Sequence, residues 1–170
     1  KICNVKLFLF EPNMVLGRLN KLFLNHSIKI FSYSNEIKNF PNKFKNKISL
    51  IPALLRKEFY SIKTADIVDK EINLLIIGGS QGAKLFDTLV SDSIIKLSKK
   101  YKLKIYHQSS LKNQKYLKKF YLMNNIENEL FDFDKNVFNF MIKSNICVTR
   151  AGASTLAELV YLNIPHIAIP

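Results

Sequence analysis

Cysteine is nearly absent: Cys3 and Cys147 stand far apart, each inside an apolar run. Two such residues exclude a disulfide framework and lack metal-ligand spacing, so they read as small core residues in a reduced compartment. No apolar run reaches the ~18 residues of a membrane-spanning helix, and no signal-peptide pattern opens the chain. Repeats and low-complexity tracts are missing, and no acidic cluster suggests a metal. Glycine is scarce, and Gly17, Gly78, Gly79, Gly82 and Gly152 fall in three short segments. Arginine is scarcer still: Arg18, Arg56 and Arg150 stand against 23 lysines, in or near loops. Where lysine is the default cation, an arginine points to use of its planar fork.

What is present is the composition of an ordinary globular chain of 170 residues, 48% hydrophobic and 23% charged, long enough for one domain or pieces of two. The net charge of +13 invites a nucleic-acid or an anionic-membrane partner. The lysines are scattered rather than gathered in a stripe, which argues against nucleic acid. Attraction to an anionic membrane surface stays open beside a purely compositional origin of the charge.

From residue 71 onward apolar runs alternate with amphipathic stretches. "INLLIIGG" is predicted as a buried strand and "AKLFDTLVSDSIIKLSKK" as a helix with Leu85, Leu89, Ile94 and Leu97 facing inward. "KLKIYHQ", "IENELFDF", "NICVTR" and "PHIAIP" are predicted strands, with helices over 111–123, about 136–143, and in "ASTLAELVYL". This rhythm predicts βαβ units in a doubly wound parallel sheet. Residues 1–55 hold a shorter version, with strands in "VKLFLF", "IKIFSYS" and "KISLIP" and a helix in "VLGRLNKLFL". The polar stretch 56–70 reads as a linker between two α/β domains, 1–55 and 71–170, and both ends of the chain read as those of a fragment.

Two strand ends carry the chemistry. After "INLLII", Gly78, Gly79, Ser80, Gln81 and Gly82 form a turn whose amides, with the Ser80 hydroxyl, suit a phosphate at a helix N-terminus. It matches neither the dinucleotide nor the P-loop signature, and a tight turn made only for close packing explains the glycines equally well. In "TRAGASTLAE", Gly152 permits the turn and the amides of Ala153, Ser154 and Thr155 open a helix. Thr155 and Glu158 also have capping-box spacing, which needs no ligand. Two such termini in one open sheet define a ligand crevice. His107 and Gln108 lie at another strand end, where a lone histidine is usually structural; His26 and His166 receive no role. Glu11, Asn13, Gly17 and Arg18 follow the first strand as a polar loop.

These motifs, in this order, resemble the MurG family of UDP-N-acetylglucosamine-dependent glycosyltransferases of peptidoglycan synthesis. G-G-S-Q-G-A-[RK] is similar to Gly78 through Lys84, H-Q-[ST] to His107-Gln108-Ser109, and R-[SA]-G-A-x-T-x-x-E to Arg150 through Glu158. H-E-Q-N-x-x-x-G-x-x-N resembles Phe10 through Asn20, with Phe10 and Pro12 as departures, and Arg56 alone survives of G-N-P-V-R. The resemblance implies a GT-B architecture of two Rossmann-like domains, both incomplete here, and an inverting transfer from UDP-GlcNAc to lipid I. It places donor contacts on Asn13, Arg56, Ser80, Asp134 and the run Ala153, Ser154, Thr155, Leu156, Ala157 and Glu158. In this scheme Glu158 meets the ribose hydroxyls, Ser80 and the helix starting at 153 hold the diphosphate, and the backbone at Asp134 reads uracil. The implied partners are donor, lipid acceptor and the anionic cytoplasmic face of the inner membrane, with no cofactor. No catalytic residue is assigned, because the family's proposed base is expected before residue 1.

Overall fold

The computed structural model describes residues 5–61, 71–78, 86–132 and 137–169. The chain divides into two compact units, Lys1–Leu54 and Leu55–Pro170.

In the first unit, strands β1 (Leu7–Glu11), β2 (Ser27–Ser32) and β3 (Ile48–Leu50) form a parallel sheet in that order. Leu16, Leu24, Ile30, Ile37 and Phe40 make its core, with Leu9 and Ile48 against them. Helix α1 is shorter than predicted, Arg18–Phe23. The preceding residues are extended instead: Val15 bridges Lys38, and the Lys38 amide donates to Met14 O at 2.7 Å.

The second unit carries a five-stranded parallel sheet, β4 (Ile72–Ile77), β5 (Leu103–Gln108), β6 (Glu127–Phe131), β7 (Ile146–Arg150) and β8 (His166–Ile169), in the order β6-β5-β4-β7-β8. Successive residues of a strand point to opposite faces, and here both faces are apolar. Leu75, Ile77, Tyr106 and Cys147 pack on one side with Phe59, Met141 and Leu159. Leu74, Ile76, Ile105 and Val148 pack on the other with Phe86, Ile94, Leu117 and Tyr121. Helices α2 (Ser91–Ser98), α3 (Leu111–Met123), α4 (Phe138–Met141) and α5 (Ala153–Tyr161) supply the covering residues other than Phe59 and Phe86, as expected of a sheet buried on both faces. Burial pushes the Cys147 thiol up to about 12, so it is an inert core residue; Cys3 lies outside the described residues.

Two details depart from the sequence reading. The stretch predicted as one helix over 83–100 is helical at 86–89, turns at Val90 and resumes as α2. Phe86, Val90 and Ile94, spaced by four, face the core, while Leu89 and Leu97 are exposed; Leu85 lies outside the described residues. The described part of the polar stretch, 56–61, holds a 3-10 turn, Lys57–Ser61, whose Phe59 is fully buried. With five glycines in the chain, asparagine takes over the left-handed positions beyond helix ends: Asn125 after α3 and Asn163 after α5 have φ of 53° and 54°.

Candidate functional site

Strands β4 and β7 are neighbours, yet the chain leaves them in opposite directions, toward β5 and β6 on one side and toward β8 on the other. Such a switch point opens a crevice beyond the carboxyl ends of the two strands. Ile77 pairs with Thr149, so the two glycine-bearing exits found in the sequence lie side by side. Gly78 is buried at the first exit, and its amide donates to Gln108 Oε1 at 3.2 Å. Gln108, read from sequence only as lying at a strand end, thus pins the end of the central strand. Gly79, Ser80, Gln81 and Gly82 lie outside the described residues, as does Asp134.

At the second exit Gly152 is the N-cap of α5, with φ −82° and ψ 127°, and no side chain caps the helix. The first intrahelical bond runs from the Leu156 amide to Gly152 O at 3.0 Å, leaving the amides of Ala153, Ser154 and Thr155 as N-terminal donors with no capping side chain among the described residues. The capping-box alternative therefore fails. Thr155 sits third within the helix, whereas a capping box needs its hydroxyl residue at the N-cap. Gly152 permits the turn but is not required by it. Its backbone is in the ordinary extended region, and an added Cβ would meet only Thr155 Oγ1, at 3.9 Å. Gly152→Ala should therefore leave folding stability within about 0.5 kcal/mol of wild type, the poorer N-cap offset by lost chain entropy in the unfolded state. If the position is small so that an anion can approach the backbone, the same variant should lose affinity for inorganic diphosphate. Thermal melts read the first expectation and titration calorimetry the second.

Glu158, in the second turn of α5, is buried and faces Arg56 rather than the helix terminus. Arg56 Nε donates to Glu158 Oε1 at 2.7 Å and Nη2 to Oε2 at 3.0 Å, a bidentate pair. Their side chains are unequally covered, 36% exposed for the arginine and 8% for the glutamate. The guanidinium also lies over the Phe59 ring, 5.1 Å from its centroid. Two residues predicted separately as donor contacts are thus brought together from positions 102 apart in sequence. Each was visible as a scarce or well-spaced residue; their pairing had no local signal.

The sequence profile of the glycosyltransferase family 28 C-terminal domain matches residues 73–170. The chain belongs to this family. A Pelagibacter ubique protein named as UDP-N-acetylglucosamine–N-acetylmuramyl-(pentapeptide) pyrophosphoryl-undecaprenol N-acetylglucosamine transferase is 60% identical over 170 residues, 100% of this chain and 48% of its own. A Rickettsia canadensis protein of the same name is 40% identical over 98% of this chain and 48% of its own. The crystal structure of MurG from Acinetobacter baumannii superposes with a TM-score of 0.72 at 19% identity, covering 98% of this chain and 46% of that one, and so shares the fold. The chain spans about half the length of the curated relatives it matches.

Behind the crevice of this family 28 domain lies a buried polar cluster. His107 is fully buried, with Nδ1 2.7 Å from the Tyr121 hydroxyl. Its Nε2 is 3.6 Å from Asp87 Oδ1, too far for a hydrogen bond. Asp87 Oδ2 accepts from Asn113 Nδ2 at 2.5 Å. Burial pulls the imidazole down from 6.5 to about 4, so it is neutral at pH 7 and serves the fold, as a lone histidine at a strand end suggested. The unfolded chain takes up a proton near 6.5, which the native imidazole refuses until about 4. Stability of this unit is therefore expected to fall as pH drops through that window. Denaturant titrations at several pH values should show the slope, and His107→Gln should reduce it.

Asn13 belongs to the first unit. Its amide and Nδ2 both reach Glu11 Oε1 at 3.2 Å, and Glu11 Oε2 accepts from the Gly17 amide at 2.7 Å and from Asn20 Nδ2 at 2.9 Å. The loop after β1 is a clasp around one buried carboxylate. A Cβ on Gly17 would stand 3.1 Å from Glu11 Oε2, so glycine here permits the close approach of the acid. Sequence reading found these residues as a polar loop; the clasp gives each of them a structural task in this family 28 relative.

Proposed function

We propose that the second unit is the donor-nucleotide half of an inverting glycosyltransferase. In this reading the whole enzyme moves N-acetylglucosamine from UDP-GlcNAc to undecaprenyl-diphosphate-linked N-acetylmuramoyl-pentapeptide, at the cytoplasmic face of the bacterial inner membrane. The observation that carries the reading is the uncapped N-terminus of α5 at a switch-point crevice, with Glu158 in its second turn. The 60% identity to a transferase of that name supports the choice of donor and acceptor. A net charge of +13 supports contact with an anionic lipid surface.

The acceptor's 4-hydroxyl oxygen bonds to the anomeric carbon as the bond from that carbon to the β-phosphate oxygen breaks, and the electron pair leaves with UDP. The hydroxyl proton passes to a general base of the whole enzyme. Charge grows on the β-phosphate during the step, so donors fixed toward it stabilise the transition state more than the ground state. The amides of Ala153, Ser154 and Thr155 take that role, and in this reading the Ser80 hydroxyl shares it. A helix dipole alone contributes about 0.3–1 kcal/mol at an exposed end, whereas a directed donor in a water-excluded site is worth roughly 3–4 kcal/mol. Glu158 accepts from the ribose hydroxyls, the segment at Asp134 reads uracil, and Arg56 meets the diphosphate.

Calorimetric titration should show UDP and UDP-GlcNAc binding with ADP and GDP at least tenfold weaker, an order-of-magnitude expectation for a site that hydrogen-bonds its base. A chimera in which these 170 residues replace the matching half of the Pelagibacter relative should transfer labelled GlcNAc to the lipid acceptor. Absence of UDP binding would overturn the nucleotide reading. Binding without transfer in a folded chimera would overturn the enzymatic one.

A further inference from the structure

We propose that Arg56 and Glu158 form an exchange latch. Glu158 gives up the Arg56 guanidinium for the two vicinal hydroxyls of a nucleoside ribose, and the released guanidinium turns to the diphosphate of the same molecule. The latch rests on the nucleotide reading above and adds a coupling between the two ends of the ligand.

Both carboxylate oxygens of Glu158 are engaged by the guanidinium, at 2.7 and 3.0 Å. The carboxylate is nearly closed off, while the guanidinium is over a third exposed, so the edge that Arg56 covers is the open one. A vicinal diol presents two O–H donors to a carboxylate much as the guanidinium presents two N–H donors, and the two compete for that edge. Arg56 precedes the 3-10 turn, outside any regular element, and its guanidinium lies over Phe59, a fully buried ring.

The consequence is selectivity for a complete nucleotide. A nucleoside alone must break the bidentate pair and offers the guanidinium no anion in return. A nucleoside diphosphate breaks the same pair and then satisfies the released cation. Ribose recognition and phosphate recognition thus become positively coupled through a single pair of side chains.

Titration with uridine and with UDP tests the latch. Arg56→Gln should bind uridine more tightly by about three- to tenfold, the factor by which a closed pair lowers the competent population. UDP should not gain, so the preference for UDP over uridine shrinks. Unchanged or weaker uridine binding by a folded Arg56→Gln protein overturns the latch. A second measurement needs no change at Arg56 in the protein under test. With three arginines in the chain, the Nε–H resonance of Arg56 is identified by its loss in Arg56→Lys. Saturating uridine should shift that resonance toward the position of a free guanidinium, and 2′,3′-dideoxyuridine should not. A resonance unmoved by uridine, or moved equally by the dideoxy compound, overturns the exchange while leaving UDP binding intact. Failure of the unaltered protein to bind either compound overturns the nucleotide reading and the latch with it.

Discussion

Arg56→Ala is expected to lower the stability of the second unit by about 2–3 kcal/mol, and Glu158→Ala by roughly half as much. The asymmetry follows from the unequal cover of the pair. Removing the arginine leaves a carboxylate that is 8% exposed without its two charged donors, and an uncompensated buried charge costs about 3–5 kcal/mol. The figure is reduced here because the guanidinium is 36% exposed, so solvent already screens the pair. Removing the glutamate instead leaves an arginine that can turn to water while keeping its place over Phe59. Urea titrations of the two single variants and the double variant measure this directly. The double variant should be more stable than Arg56→Ala, because it no longer strands a carboxylate. Equal losses in the single variants, or a larger loss on removing Glu158, would show that the pair is not buried as described.

Glu11→Ala should cost the first unit about 1–3 kcal/mol, since it removes a buried acceptor shared by the half-buried donors of Gly17 and Asn20 and the exposed ones of Asn13. Burial by itself would raise the Glu11 carboxyl, but the bonds from Gly17, Asn20 and Asn13 outweigh it and hold the group below its ordinary value of 4.5. A carboxyl depressed in the folded state adds stability above its unfolded value and loses it as pH falls through the folded one. The first unit should therefore weaken on acidification below about pH 4.5, and Glu11→Gln should flatten that dependence while lowering stability at neutral pH. Hydrogen exchange at the Gly17 amide is the local readout. Protection that survives Glu11→Ala would sink the clasp.

The α/β class and the parallel sheet were legible because the hydrophobic period changes sharply between strand and helix. Helix α3, 111–123, even ends where its Lys-rich pattern ends. The inward positions after β4 were misread because the buried row runs through Phe86, Val90 and Ile94 at steps of four, which turns Leu89 and Leu97 outward. The capping box failed for a related reason: T-x-x-E spacing is silent about which residue adopts the extended N-cap backbone, and Gly152 does. The crevice could be anticipated from two glycine turns at strand ends, but their adjacency depends on strand order. Pairings across the fold, Arg56 with Glu158 or Gly78 with Gln108, exist only once distant segments are packed. Glu11, Gly17 and Asn20 are the intermediate case. Their spacing was visible, yet only the 3.1 Å approach to a would-be Cβ explains why the middle one is glycine.

Gly152 also bears on how such a domain can evolve. An aspartate or serine there would cap α5 better and restrict the unfolded chain, together a gain of roughly 1 kcal/mol. The backbone at 152 is ordinary, and beside it there is room. Heat selection acting on the fold alone would therefore fill the position. On the function proposed above, selection for phosphate binding would empty it again, since an added side chain, and a carboxylate most of all, would occupy the anion's approach. A lineage adapting to a hotter habitat would have to find its added robustness elsewhere in the unit.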